Sequence, residues 1–132
     1  MLIMADVDRF KSINDTHGHE GGDAVLIDTA ARIRENLRKI DVAARWGGEE
    51  FLVLLPGTEL ETKHTVAEKL RTVVASNVVI HDGARLSVTM TLGVSVCAPG
   101  CDPEAAVREA DGALFRGKQR GRNREVLHRL AD

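Results

Sequence analysis

Three short clusters of charged residues stand out in the sequence. Asp6 and Asp8 flank Val7 at the end of an apolar opening run. A carboxylate at a strand end, beside a helix start, is a natural ligand for Mg²⁺. This hard cation takes oxygen donors and often uses only one or two carboxylates plus substrate phosphates. Read alone, Asp-x-Asp is also a solvated acidic turn that caps the following helix. Gly47-Gly48-Glu49-Glu50-Phe51 places two carboxylates directly after two residues without Cβ, where a ligand could approach the backbone closely. Its bland counterpart is an ordinary hairpin with an acidic, edge-blunting tip. The third cluster is basic: Arg116, Lys118, Arg120, Arg122 and Arg124 follow one another with no acid between them. Lys as a point charge and Arg as a fork suit a phosphate chain, and cations also favour a helix C-terminus.

Between the first two clusters lies the stretch from Phe10 to Asp23, in which Asn14 and Asp23 flank a polar loop. Asn14 and Asp23 pair an amide with a carboxylate, which together can read a guanine edge. The alternative is a turn at Asn14 and a helix cap at Asp23. His17 and His19 alternate in the same loop, a pattern that reads as surface histidine rather than as a zinc site.

The elements that must position these residues follow from periodicity and breakers. Met1 to Val7 reads as a buried strand, and Asp8 to His17 as a short helix closed by Gly18. Gly22 to Lys39 is a long helix with Val25, Leu26, Thr29, Ala30, Ile33 and Leu37 at spacings of three and four. Val42 to Trp46 and Glu50 to Leu55 read as strands of a hairpin with a tight, positive-φ turn at Gly47-Gly48. Glu59 to Ala75 is a helix. Val78 to His81 and Leu86 to Val96 are strands joined at Asp82-Gly83. Pro103 opens a last helix capped by Asp102 and ended by Gly121, and Glu125 to His128 is a short edge strand. The order βααββαββαβ implies an α+β fold: a central, mostly antiparallel or mixed sheet flanked by helices.

Composition narrows the function classes. The 132 residues suit a single domain spanning 1–132. Apolar residues make up 43%, as in a globular chain, while aromatics are only 3%. That scarcity excludes an aromatic stacking platform for single-stranded nucleic acid. With 18 basic and 20 acidic side chains the net charge is −2, so no general polyanion field exists and no nucleic-acid polymer is expected. No run approaches the ~18 apolar residues of a membrane span, so this segment is expected to make no membrane contact. Cys97 and Cys101 read as two reduced thiols, consistent with a cytoplasmic setting.

Taken in order, these motifs resemble the GGDEF domain of bacterial diguanylate cyclases. Asp6-Val7-Asp8-Arg9-Phe10-Lys11 resembles the family's D-x-D-x-F-K. Asn14-Asp15, Gly18-His19 and Gly22-Asp23 resemble N-D-x-x-G-H-x-x-G-D, and Gly47 to Phe51 is GGEEF. Gly93-Val94 falls in the family's late strand. Ala110 to Phe115 with Lys118 and Gly121-Arg122-Asn123 resembles A-D-x-A-L-Y…K-x-x-G-R-N. Each motif is weak alone, whereas all of them in order at family spacing are very specific.

The resemblance implies a fold similar to adenylyl cyclase catalytic domains, with a ferredoxin-like core. It implies condensation of two GTP into cyclic di-GMP with release of pyrophosphate, across a homodimer. By position, Asp6 and Glu49 would hold Mg²⁺ (or Mn²⁺), with the Val7 carbonyl as a backbone ligand. Asn14 and Asp23 would hold guanine, with His19 lining the site, and Gly47 and Gly48 would admit the substrate. Lys11, Lys118 and Arg122 would bind the β- and γ-phosphates. Glu49 or Glu50 would help deprotonate the attacking ribose hydroxyl. Arg38 and Asp41 fit the family's R-x-x-D inhibitory site for the product, five residues ahead of Gly47. Lys69 stands where some relatives supply an additional arginine.

Three departures accompany the match. Gly117 stands where alanine is usual, which should loosen its helix by about 0.5–1 kcal/mol. His17 replaces a usual aromatic. The family's upstream D-x-L-T-x-L-x-N-R segment is absent, so the chain reads as a catalytic core cut from a longer signalling protein. An upstream sensory or receiver domain is implied, including in a membrane-bound sensor with this part in the cytoplasm. An alternative function is a non-catalytic receptor for GTP or cyclic di-GMP; the intact GGEEF, Asp6, Lys118 and Arg122 favour the enzyme. A different nucleotidyl cyclase or polymerase-like domain is a third reading, and Asn14 with Asp23 favours guanine over adenine.

Overall fold

The computed structural model describes residues 1–58 and 60–128. In chain order the elements are β1 (Leu2–Val7), α1 (Phe10–Glu35), β2 (Val42–Arg45), β3 (Glu50–Leu54), α2 (Leu60–Ala75), β4 (Val79–His81), β5 (Ala84–Leu86), β6 (Met90–Ser95), α3 (Pro103–Gln119) and β7 (Glu125–Leu127). Five strands form one sheet in the order β2-β3-β1-β6-β7, and β4-β5 is a separate hairpin. The pairs β1–β3, β1–β6 and β2–β3 are antiparallel, while β7 joins β6 in parallel. The expected α+β class with a mixed sheet is therefore what forms. Among the described residues no helix is long and apolar enough to cross a membrane.

β1 is buried along its whole length because both faces of the central sheet are covered. Side chains alternate across a strand, so each face takes every second residue. Ile3, Ala5 and Val7 join the larger core with Val25, Ile33, Val53, Leu70, Leu92 and Val94. Leu2 and Met4 join Leu52, Ala106, Ala110 and Leu114 beneath α3. The parity of Leu2 and Met4 extends to Asp6 and Asp8, which directs both carboxylates toward the α3 side.

α3 lies unusually close to β6. A Cβ at Gly93 would sit 2.0 Å from the Ala110 carbonyl oxygen and 2.4 Å from the Leu114 nitrogen. Ser95 donates to the Ala106 carbonyl at 2.7 Å from the same face. The α3 start matches its reading: Asp102 accepts from the Glu104 N–H at 3.1 Å, with Pro103 in the first turn.

Several expectations need correction. The break read at Gly18 is present, since α1 is two helical halves that meet where Gly18 leaves helical geometry at φ 75°, ψ 173°; what differs is that the second half starts directly after Gly18 rather than at Gly22. The second half ends at Glu35 rather than Lys39, because the Asn36 side chain turns back to donate to Arg32 O at 2.7 Å. The strand read over Leu86 to Val96 is two strands in different sheets. Between them Thr89 O accepts the Asp8 N–H at 2.9 Å, tying this break to the end of β1. Neither Gly47 nor Gly48 has positive φ, so the β2–β3 connection is not the tight two-residue turn expected. It is a four-residue loop closed by Trp46 N–H donating to Glu50 O at 2.8 Å. Cys97 and Cys101, read as reduced thiols, come together in a disulfide. The Ala98–Cys101 turn sets their Cα atoms 5.5 Å apart, within the usual bridging range. Glu59, read as the first residue of α2, lies outside the described residues.

Candidate active site

The end of β1 is the organising point. Asp6 pairs in register with Glu50 on β3 and with Thr91 on β6. The Val7 N–H donates to Glu49 O at 3.1 Å, which draws the loop of the second cluster against the first. Arg45 fixes that loop from behind, donating through Nε to Gly47 O at 3.2 Å and through Nη2 to Gly48 O at 2.7 Å. A Cβ at Gly48 would meet nothing within 4 Å, so the loop leaves open space where a ligand can come close.

Three carboxylates converge here. Asp6 is buried, at 4% exposure, and Glu49 and Glu50 are half-buried. Burial pushes the Asp6 carboxyl above the usual aspartate range; the Lys118 hydrogen bond and charge, and Arg122 more weakly, pull the other way. Burial also raises Glu49 and Glu50, and the Asp6 charge raises both further. Lys118 Nζ forms an ion pair with Asp6 Oδ2. The residues thus present hard oxygen donors whose mutual repulsion calls for positive charge. That donor chemistry suits a divalent cation.

α1 begins directly after this cluster. Arg9, at its N-cap, is left-handed (φ 55°, ψ 36°) and makes no side-chain cap, and the first turn carries no acid. The Ser12 N–H is already taken by Arg9 O at 3.0 Å, and exposed Lys11 adds a positive charge beside this helix start, which is suited to an anion. Asn14 lies further along the first half of α1, and its side-chain oxygen is buried without a hydrogen-bond partner. A Cβ at Gly22 would fall 1.9 Å from that oxygen, so glycine there is what lets the two halves of α1 approach. His19 and Asp23 are exposed on α1. The structure thus brings Asp6, Val7, Glu49, Glu50 and Lys118 together, with Arg122 close enough for its charge to act on Asp6. Lys11, His19 and Asp23 make no hydrogen bond or ion pair with that group among the described residues.

Arg38 and Asp41 form a separate station after α1. Arg38 Nη2 donates to Asp41 Oδ1 at 2.8 Å, to Pro56 O at 2.9 Å and to Thr58 Oγ1 at 2.8 Å. The Arg38 guanidinium holds the Asp41 carboxyl below its ordinary range. They line an open cleft of about 450 Å³ with Arg34, Leu37, Lys39 and Val42.

Sequence reasoning missed what Asp8 does. Its Oδ1 accepts from Thr91 Oγ1 at 2.6 Å, and its Oδ2 from Thr89 Oγ1 at 2.6 Å and from Asn123 N–H at 3.0 Å. The available signal was Thr-x-Thr at positions 89 and 91, whose period of two aims both hydroxyls to one side.

A family model described as diguanylate cyclase, GGDEF domain, matches residues 1–124. The chain belongs to the GGDEF domain family. Diguanylate cyclase A of Treponema denticola is 44% identical to this GGDEF chain over 129 residues, which is 96% of this chain and 34% of that protein. The chain therefore spans about a third of that curated relative. Among solved structures, diguanylate cyclase SiaD of Pseudomonas aeruginosa, in complex with its activator SiaC, superposes with a TM-score of 0.92 at 43% identity. That match covers 96% of this chain and 48% of SiaD. The GGDEF domain of DgcB from Caulobacter crescentus, in complex with c-di-GMP, gives 0.91 at 32% identity, covering 96% of this chain and 76% of that one.

Proposed function

We propose that this GGDEF chain is the catalytic domain of a diguanylate cyclase, spanning 1–132 and working as a homodimer. The observation that carries this reading is the convergence of Asp6, Glu49 and Glu50 with Lys118 at the end of β1. A degenerate receptor would be expected to have lost part of that set.

Asp6 and Glu49, with the Val7 carbonyl, would hold Mg²⁺ or Mn²⁺. When bound, the cation would offset the charge of the transferring phosphoryl group. Asn14 and Asp23 receive the guanine edge, with His19 beside it, and Gly47 and Gly48 leave room for the nucleotide. Lys11, Lys118 and Arg122 neutralise the β- and γ-phosphates, which favours departure of pyrophosphate. Glu49 or Glu50, each made a stronger base by burial, accepts the proton of the ribose 3′-hydroxyl as a carboxylate. That oxygen attacks the α-phosphorus of the partner's GTP, and pyrophosphate leaves. Each domain carries one GTP, so two must meet face to face.

Arg38 and Asp41 bind the product and hold domains apart. The setting is cytoplasmic, downstream of a sensory or receiver domain. Incubation with GTP and Mg²⁺ followed by nucleotide chromatography tests the reading. Cyclic di-GMP is expected from GTP, and no cyclic product from ATP. Binding of GTP without any product at high protein concentration would instead support the receptor.

A further inference from the structure

Asp8 is a buried carboxylate, at 6% exposure, that none of the proposed ligand contacts uses. Both of its oxygens are filled from within the protein, by the Thr89 and Thr91 hydroxyls and the Asn123 N–H. It therefore has no role as a metal or phosphate ligand without dismantling this network. Its partners point elsewhere: Asn123 follows Arg122, and both are left-handed, at φ 47° and 64°. Two successive non-glycine residues in that region are strained and persist only where surrounding contacts determine them. Three contacts hold them there. Arg122 N–H donates to Gly117 O at 3.0 Å, Arg71 donates to Asn123 Oδ1 at 2.8 Å, and Asp8 takes the Asn123 N–H.

Thr91 adds a second connection. A Cβ at Gly117 would lie 2.6 Å from Thr91 Cγ2, so α3 is seated against the same threonine that donates to Asp8. Lys118 is the next residue along. The end of β1 is thereby joined to Lys118 and Arg122, two of the three basic side chains assigned to the phosphates.

We propose that Asp8 is a positioning residue for the polyphosphate: it holds the 121–124 turn in its strained form so that Arg122, and through Thr91 and Gly117 also Lys118, present their charges to one place. This inference rests on the cyclase reading and deepens it. A carboxylate suits the task because it accepts from all three donors at once. An asparagine of the same shape has one acceptor oxygen, so its amide nitrogen would force a threonine hydroxyl to turn from donor to acceptor and would remove the charge that strengthens all three bonds.

The test is a binding cycle with a non-reactive αβ-methylene analogue of GTP and with GMP, in the presence of Mg²⁺. Asp8→Asn is expected to weaken the triphosphate analogue roughly tenfold, the scale of one hydrogen bond to a charged group, while GMP binding stays within about twofold. Asp8→Asn combined with Arg122→Ala is expected to lose less than the sum of the two single losses, because both act on the Arg122 contact while the Lys118 contribution remains. Should Asp8→Asn fold poorly, Thr91→Val keeps the Thr91 shape, removes one donor and should show the same selective loss at smaller size. Equal losses for both nucleotides, additive losses in the double variant, or unchanged triphosphate binding would overturn the inference while leaving the cyclase reading intact. Failure of the wild-type protein to bind the analogue at all would remove that reading, and the inference with it.

Discussion

Lys118 on α3 pairs with Asp6 at the end of β1, across 112 residues of chain. These are the two side chains assigned opposite tasks, one toward phosphate and one toward the cation. Without ligand each neutralises the other. In the proposed reading, arrival of a metal–nucleotide complex would supply each with a new partner of the right sign, so binding would exchange contacts rather than create buried charge.

Removing one side of that pair leaves Asp6 buried beside Asp8, Glu49 and Glu50. Lys118→Met should lower stability by about 1–3 kcal/mol at neutral pH, discounted because the Lys118 side chain is 34% exposed. Adding Asp6→Asn should recover most of that loss but no turnover. Thermal melts of the three proteins check the first statement, and cyclic di-GMP formation the second.

Glu49→Gln and Glu50→Gln should not destabilise the fold. Both carboxyls are raised by burial and by Asp6, so the folded protein holds their protons more tightly than the unfolded chain does. Each therefore costs stability above its folded pKa, and that cost disappears as pH falls toward the ordinary glutamate range near 4.5. Either variant should melt about 1–4 °C higher than wild type at pH 7, a gain that shrinks as pH falls toward that range. Glu49→Gln should also lose turnover. A variant that melts lower, or a difference independent of pH, would contradict the account.

Much of the fold was legible in the sequence because strong local signals agreed with packing. The apolar run of β1, the Asp102-Pro103 helix start and the short edge strand β7 all form where patterning placed them. The failures came where side chains override periodicity. Asn36 stops α1 by returning to Arg32 O, and contacts to Asp8 accompany the break of the read strand at Thr89. Gly47-Gly48 resembled a positive-φ turn, whereas neither has positive φ and the open space lies at Gly48. Of the candidate site, the acidic cluster and Lys118 were legible through motif spacing. The Asp8 network was not, since its donors lie more than 80 positions away.

Gly117 is a further case in which local propensity misleads. Alanine should improve the helix by about 0.5–1 kcal/mol, yet its Cβ would press on Thr91 Cγ2 at 2.6 Å. Gly117→Ala should thus give no stabilisation in denaturant titrations and should weaken triphosphate binding. Gly93→Ala meets backbone on two sides and should cost about 3 kcal/mol or more by forcing α3 off the sheet.

Arg38→Ala should weaken cyclic di-GMP binding at least about tenfold, by removing a charged, forked donor, and relieve product inhibition. Asp41 is held low by Arg38, so the stability this pair contributes is present above the ordinary aspartate value of 3.8 and lost as pH falls through its lower folded pKa. The melting difference between Arg38→Ala and wild type should accordingly be flat above pH 4 and shrink below it. Unchanged inhibition in isothermal titration and turnover assays would remove Arg38 and Asp41 from the product site.

The central claim is that two of these domains, each carrying one GTP, together make one product. Its most direct test follows cyclic di-GMP by chromatography from GTP and Mg²⁺ over a range of protein concentrations, alongside the same chain paired by a fused dimeric coiled coil. The account predicts that specific activity rises with protein concentration, that pairing raises it further, and that Glu49→Gln abolishes it in both. Concentration-independent activity, or a folded, paired protein that binds GTP but yields no cyclic di-GMP, would contradict it.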